Sequence, residues 1–88
     1  MPAARVEYKA SVEGDLEKLD PPMALRVLKK IERALMSGGR SGDPLSGEFA
    51  GLFRLRVGDN RVIYSRTGDG YLVLRIGHRR EVYRKGRP

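Results

Sequence analysis

Three arginines near the middle of the chain set the chemistry it can do. In Gly51-Leu52-Phe53-Arg54-Leu55-Arg56-Val57-Gly58-Asp59-Asn60-Arg61-Val62-Ile63-Tyr64, two runs alternate apolar and polar residues around a Gly-Asp pair. Alternation is a strand signal, and a two-residue loop with glycine first suits a type II′ hairpin turn. A Gly58-Asp59 loop sets Val57 against Asn60, Arg56 against Arg61 and Leu55 against Val62. Phe53, Leu55, Val57, Val62 and Tyr64 then share one face, and Arg54, Arg56, Arg61 and Ile63 share the other. A three-residue loop would change this facing. Like charges held opposite one another are destabilising. A hairpin that opposes Arg56 to Arg61 therefore points to an anion between them, with a solvated outer face as the alternative.

The charge distribution names the class of anion. The formal net charge is +7 at pH 7. Residues 1–50 carry eight Lys/Arg and eight Asp/Glu, whereas residues 51–88 carry ten Lys/Arg against Asp59, Asp69 and Glu81. Nine of those ten are arginine, the residue favoured for planar, bidentate contact with phosphate or carboxylate. Nucleic acid is the first partner to consider and an acidic protein the second. A two-metal nuclease needs clustered carboxylates, which the basic half lacks. With no cysteine and a single histidine, His78, thiolate and multi-histidine metal sites are excluded, and no cofactor is expected. Metal-free cleavage of RNA remains, because RNA supplies its own nucleophile, the 2′-OH. The protein must then stabilise a negatively charged phosphorane, for which Arg54, Arg56, Arg61 and Arg79 are candidates. Arginine stays protonated and is a poor base. His78 titrates near neutrality when unperturbed, Tyr83 offers a proton or a stacking ring, and Glu81, Asp43 and Glu48 are carboxylate candidates. Each also has a plainer reading as a packing, turn or solvated residue.

The elements that position these groups follow from the pattern. Ala4–Lys9 alternates as a first strand with Val6 and Tyr8 on one side. Val12, Leu16 and Leu19 recur at helical spacing after Ser11, a fair N-cap. Asp20-Pro21-Pro22 ends that helix and starts a second one, whose stripe is Ala24, Val27, Leu28, Ile31, Ala34 and Leu35. Ser37–Pro44 reads as a loop that carries Arg40 and Asp43 toward the hairpin. After Thr67-Gly68-Asp69-Gly70, the nearly continuous apolar run Tyr71–Ile76 predicts a central strand, interrupted by Gly77. Arg84-Lys85-Gly86-Arg87-Pro88 is a basic tail. The order β-α-α-β-β-β predicts one α+β domain over 1–88, with a helical hairpin packed on one face of a largely antiparallel, twisted sheet. The other face is left to the arginines, and Arg40, Arg75, Arg80, Arg84 and Lys85 are candidate RNA contacts around it.

The hairpin, together with Ile76-Gly77-His78-Arg79-Arg80-Glu81-Val82-Tyr83, resembles the RelE/ParE toxin superfamily on its RelE side. The family pattern is roughly G-x-(Y/F/W)-(R/K)-x-(R/K)-x-G-x-Y-R-(V/L)-x-Y, a strand, then G-(H/K)-R-x-x-(V/I)-Y. The resemblance extends to Asp15–Leu19 and Pro44–Gly47, and so to nearly the whole chain. It implies a RelE-like microbial ribonuclease-type fold and the toxin of a type II toxin–antitoxin system. It further implies a ribosome-dependent endoribonuclease that cuts mRNA in the A site through the 2′-OH without metal, held inactive by a cognate antitoxin. Under it, Arg54 and Arg56 match basic residues at the scissile region. Arg61 matches the transition-state arginine, Arg79 a late arginine that assists the leaving group, and Tyr83 the tyrosine that stacks on or orients the base. His78 sits where relatives have a basic residue. Asn60 departs from the usual tyrosine, and Asp43 matches a carboxylate present in some branches before the Pro-Leu pair.

A ParE-like toxin that binds DNA gyrase without nuclease chemistry is the competing reading, and a degenerate member that only binds antitoxin or RNA is a third. An acidic, partly disordered antitoxin segment is the expected partner for a +7 chain. No apolar h-region follows Met1, and no run approaches the ~20 apolar residues of a membrane span. The expected location is therefore cytoplasmic, with no membrane partner.

Overall fold

In the computed structural model, residues 5–36 and 42–82 are described. The chain forms β1 (Arg5–Tyr8), α1 (Val12–Glu17), α2 (Pro21–Leu35), β2 (Asp43–Pro44), a 3₁₀ turn (Gly47–Phe49), β3 (Leu52–Val57), β4 (Asn60–Arg66) and β5 (Gly70–His78). The strands make one sheet in the order β1-β5-β4-β3-β2, parallel only between β1 and β5. This is the expected α+β arrangement with the helices on one face. It gains one short edge strand where the sequence predicted only loop. Among the described residues no helix is long and apolar enough to cross a membrane.

The two helices start differently. Pro21 and Pro22 occupy the first turn of α2, where a missing amide hydrogen costs nothing, and Asp20 before them is extended at ψ 151°. Ser11 does not cap α1 as the sequence suggested. It has already taken helical angles, φ −67° and ψ −15°, and its side chain caps no amide. An N-cap serine needs the extended conformation to reach back. Val27, Ile31, Ala34 and Leu35 of α2 and Val12 of α1 pack on Leu55, Val62, Val73 and Ile76 of the sheet. Tyr64 completes this layer, stacked on Phe53 at 5.4 Å and edge-on to Tyr71 at 5.5 Å. Its buried hydroxyl has no hydrogen-bond partner. Burial raises its pKa above 10.0, with Tyr71 adding to the rise. Gly42 lies so close to that hydroxyl that a Cβ there would collide with it.

The β3–β4 register is the predicted one: Leu55 faces Val62, Arg56 faces Arg61 and Val57 faces Asn60. Gly58 takes φ 60°, which the first central residue of this turn requires and glycine adopts without strain. The β4–β5 register contains a break that the sequence did not reveal. Tyr64 pairs with Val73 but Ile63 pairs with Arg75, so Leu74 is a bulge. Strict alternation from Tyr71 and Val73 would have sent Arg75 into the core. The extra residue puts Ile76 there instead and turns Arg75 to the opposite face. Gly77 does not interrupt the strand, which continues through it to His78, with Gly77 paired to Arg61.

The bulge is braced from α1. β1 ends with Tyr8 opposite Val73, so among the described residues β5 has no strand neighbour on that side further along. The Asp15 carboxylate takes that place and accepts the Ile76 amide at 3.0 Å. Beyond β5 the chain turns back, with the amides of Glu81 and Val82 donating to the His78 carbonyl at 2.8 and 3.0 Å. Val82 is fully buried and anchors the turn.

Candidate functional site

The sheet face away from the helices is a short grid. One row runs Arg54, Ile63, Arg75 across β3, β4 and β5; the next runs Arg56, Arg61, Gly77. Directly opposed residues stand roughly 5 Å apart at Cα, so Arg54 and Arg75 flank Ile63, while Arg61 and Arg56, one row along, lie roughly 7–8 Å from it. That isoleucine is fully buried although it lies on the outer face. The aliphatic stems of Arg54 and Arg75 stand beside it, and arginine stems cover apolar surface readily while the guanidinium stays in water. Gly77 places no side chain beside Arg61, which leaves open ground on that side of the row.

The guanidinium groups differ in their partners. The Arg54 side chain is 27% exposed, and its NH2 lies 3.5 Å from Asp43 Oδ2. Asp43 is held there because β2 pairs Asp43 with Arg54 in the ladder. Its carboxylate, 54% exposed, is set against the arginine face. The Arg54 Nε is buried with no hydrogen-bond partner. Arg61 folds along its own turn, with NH1 donating to the carbonyls of Gly58 and Asn60 at 2.9 Å each. These are neutral acceptors, so its charge is not neutralised. Arg66, which the sequence did not single out, lies 5.5 Å from the centroid of the Phe53 ring, a cation–π contact.

The segment after β5 brings further basic groups to one end of this face. The Arg79 amide donates to the Asp59 carbonyl at 2.8 Å, which ties Arg79 beside the hairpin turn next to Arg61. Arg80 is exposed, and its amide donates to His78 Nδ1 at 3.1 Å. His78 itself pairs with Asn60, so the pleat turns it to the side opposite Arg61. There it lines a cavity of about 230 Å³ with Asp15, Lys18, Asn60 and Glu81. The grid thus unites Arg54, Arg56, Arg61 and Arg75, with Arg79 and Arg80 at its edge and His78 behind it. Tyr83, Arg40, Arg84 and Lys85 lie outside the described residues. Among the described residues no group of three or more His, Asp or Glu side chains is clustered as a metal site would need.

The comparisons with known proteins agree with this architecture. The chain matches the ParE toxin family of type II toxin–antitoxin systems (parDE) over residues 6–83. It is 34% identical to toxin RelG of Mycobacterium tuberculosis over 85 residues, covering 91% of this chain and 95% of the relative. Its structure resembles a chain of the RelBE2 toxin–antitoxin complex of M. tuberculosis, with a TM-score of 0.73 and 28% identity over 89% of this chain and 99% of the other. It also resembles a chain of the archaeal RelE–RelB complex of Pyrococcus horikoshii, with a TM-score of 0.63 and 25% identity over 90% and 98%. Two helices on one face of a five-stranded sheet is thus the fold of the RelE-like toxins. The chain belongs to the ParE toxin family and so to the RelE/ParE superfamily of type II toxin–antitoxin toxins.

Proposed function

We propose that this toxin is a ribosome-dependent endoribonuclease that cuts mRNA in the A site. The observation that carries the reading is the grid of Arg54, Arg56, Arg61 and Arg75, in which Asp43 pairs with Arg54 alone. An RNA strand lying across Ile63 meets positive charge on every side. The 2′-OH attacks the adjacent phosphorus, an O–P bond forms and the bond to the 5′-oxygen breaks. The products are a 2′,3′-cyclic phosphate and a 5′-hydroxyl. Arg61 and Arg56 neutralise the phosphorane, acting as charge already in place where charge develops. Arg79, beside the turn, stabilises the charge on the leaving 5′-oxygen, which takes its proton from water because arginine stays protonated. His78 and Glu81 line the cavity behind the sheet, so proton removal falls to Asp43 or Glu48, and Tyr83 orients the base. No metal or cofactor enters this route.

A cognate antitoxin is the second partner. The similar structures from M. tuberculosis and P. horikoshii are toxin–antitoxin complexes, and a chain of charge +7 favours an acidic, partly disordered segment that folds over the arginine face. The match to the ParE family supports a second reading, a gyrase-directed toxin without nuclease chemistry, because one fold serves several functions. Cleavage on ribosomes with a defined A-site codon, in excess EDTA and mapped by primer extension, separates the two. The nuclease reading expects a single cut within the codon, reduced ~100-fold or more in Arg61→Ala, as when one transition-state donor is deleted. No cut by folded protein, together with inhibition of gyrase supercoiling, would replace it with the ParE-like reading.

A further inference from the structure

A second basic surface lies round the edge of the sheet from the arginine grid. Arg26, Lys29, Lys30 and Arg33 of α2 line a groove of about 350 Å³ whose other wall is Arg56 with Val57 and Gly58. The four α2 residues follow helical spacing and so form a single stripe about 10 Å long. All are exposed, and none forms an ion pair among the described residues. Like charges three and four apart on a helix destabilise it, so the stripe, like Arg56 against Arg61, implies an anion outside the protein. The groove is also open to a ligand's backbone. β2 and the residue after it reach only Leu52, Phe53 and Arg54, which leaves residues 55–57 of β3 an uncovered edge among the described residues. Leu52 presents its carbonyl to Leu45 across that edge at 2.9 Å. Alternation therefore turns the Arg56 peptide groups the same way, into the groove.

We propose that this groove binds the phosphates of the same RNA strand whose scissile segment crosses the arginine grid. Arg56 is the link, because it belongs both to the grid row with Arg61 and to the groove wall. A strand leaving the grid past Arg56 rounds the open β3 edge and runs along α2, where Lys29, Lys30 and their neighbours take up its phosphates. The groove thus lengthens the footprint on RNA beyond the segment that is cut. This rests on the RNA-cleavage reading, and the experiment separates the two.

The test is fluorescence anisotropy with single-stranded RNA carrying 2′-O-methyl groups, which removes the nucleophile so that nothing is cut. A tetranucleotide reaches the grid alone, and a dodecanucleotide reaches the groove as well. The variants are Lys29→Glu/Lys30→Glu and, as a milder second pair, Arg26→Gln/Arg33→Gln, with thermal melting as the control for folding. Loss of two phosphate contacts should reduce the slope of log affinity against log salt by about 1.4 and weaken dodecanucleotide binding about tenfold, with the tetranucleotide unchanged. Equal affinity of wild type and both variants for the dodecanucleotide overturns the proposal. So does loss of binding to a polyglutamate peptide with RNA binding intact, which would assign the groove to an acidic protein. Arg61→Ala is run in parallel. If it leaves cleavage on programmed ribosomes unchanged, the reading of the grid falls whatever the groove does.

Discussion

Asp43→Asn separates two roles that the structure allows for one carboxylate. Asp43 lies 3.5 Å from Arg54 and is about half exposed, so its ion pair is screened and contributes about 0.2–1 kcal/mol to stability. In a domain of this size 1 kcal/mol shifts the melting temperature by about 4–8 °C, which bounds the expected loss. The β2–β3 backbone pairing at Asp43 and Arg54 does not need the charge and is kept. Neutralising the side chain frees Arg54 for one more phosphate. Binding to uncleavable RNA should therefore strengthen, and the salt dependence should steepen by about 0.7. If Asp43 only partners Arg54, cleavage on programmed ribosomes falls less than about tenfold, far short of the ~100-fold expected for a transition-state arginine. The assay pairs that cleavage rate with anisotropy on the same RNA. Loss of cleavage by 100-fold or more with RNA affinity kept would refute the reasoning and make Asp43 the group that takes the 2′-OH proton.

Three further outcomes follow from the packing. Tyr64→Phe removes a buried hydroxyl without a partner and should leave neutral-pH stability unchanged or raise it by about 1 kcal/mol. The Tyr64 phenol is raised above 10.0, so the folded state holds its proton longer than the unfolded chain. Stability is full below that pH and falls as pH climbs through the raised value. Urea midpoints followed upward from there should decline less in Tyr64→Phe than in wild type, and parallel declines would remove burial as the cause. Tyr8 is raised as well, by burial and by Glu32, and contributes in the same direction. Asp15→Ala leaves the Ile76 amide without its acceptor and should cost about 1–3 kcal/mol, seen as lost hydrogen-exchange protection at Ile76; protection equal to wild type would mean another group replaces the carboxylate. Gly70→Ala drives a Cβ into the Arg5 backbone and should cost about 1–3 kcal/mol, with a lower melting temperature and early exchange along β1; an unchanged melt would contradict the β1–β5 register.

What the sequence disclosed depends on how far apart the interacting residues lie. The β3–β4 hairpin was readable to the residue because its turn and both strands lie within one short stretch, and the Gly58 conformation enforces the register. The start of α2 was readable for the same reason, since proline acts on its own backbone. Ser11 misled because residue type favours a cap only when the backbone angles allow it. The β5 bulge was not readable. Its cause is the pairing of Val73 with Tyr64 and of Ile76 with Val62 on the neighbouring strand, together with an Asp15 carboxylate 61 residues distant. Asp43, placed in a loop by its neighbours, became strand through its pairing with Arg54.

The same distinction bears on function. The hairpin alone gives Arg54, Arg56 and Arg61, a set that a basic protein-binding surface also provides. Arg75 joins them only because the bulge rotates it out of the core, at the cost of an irregular central strand and a half-buried carboxylate to hold it. Opposing Arg56 and Arg61 works against stability as well, by about 0.2–1 kcal/mol for a directly facing like-charged pair. Selection for folding would replace one of them with a neutral residue and straighten the strand. A pure protein-binding surface does not require charge converging from three strands on one point. A phosphorane with its negative oxygens does, and that convergence around Ile63 is the physical reason to place RNA cleavage ahead of gyrase binding for this chain.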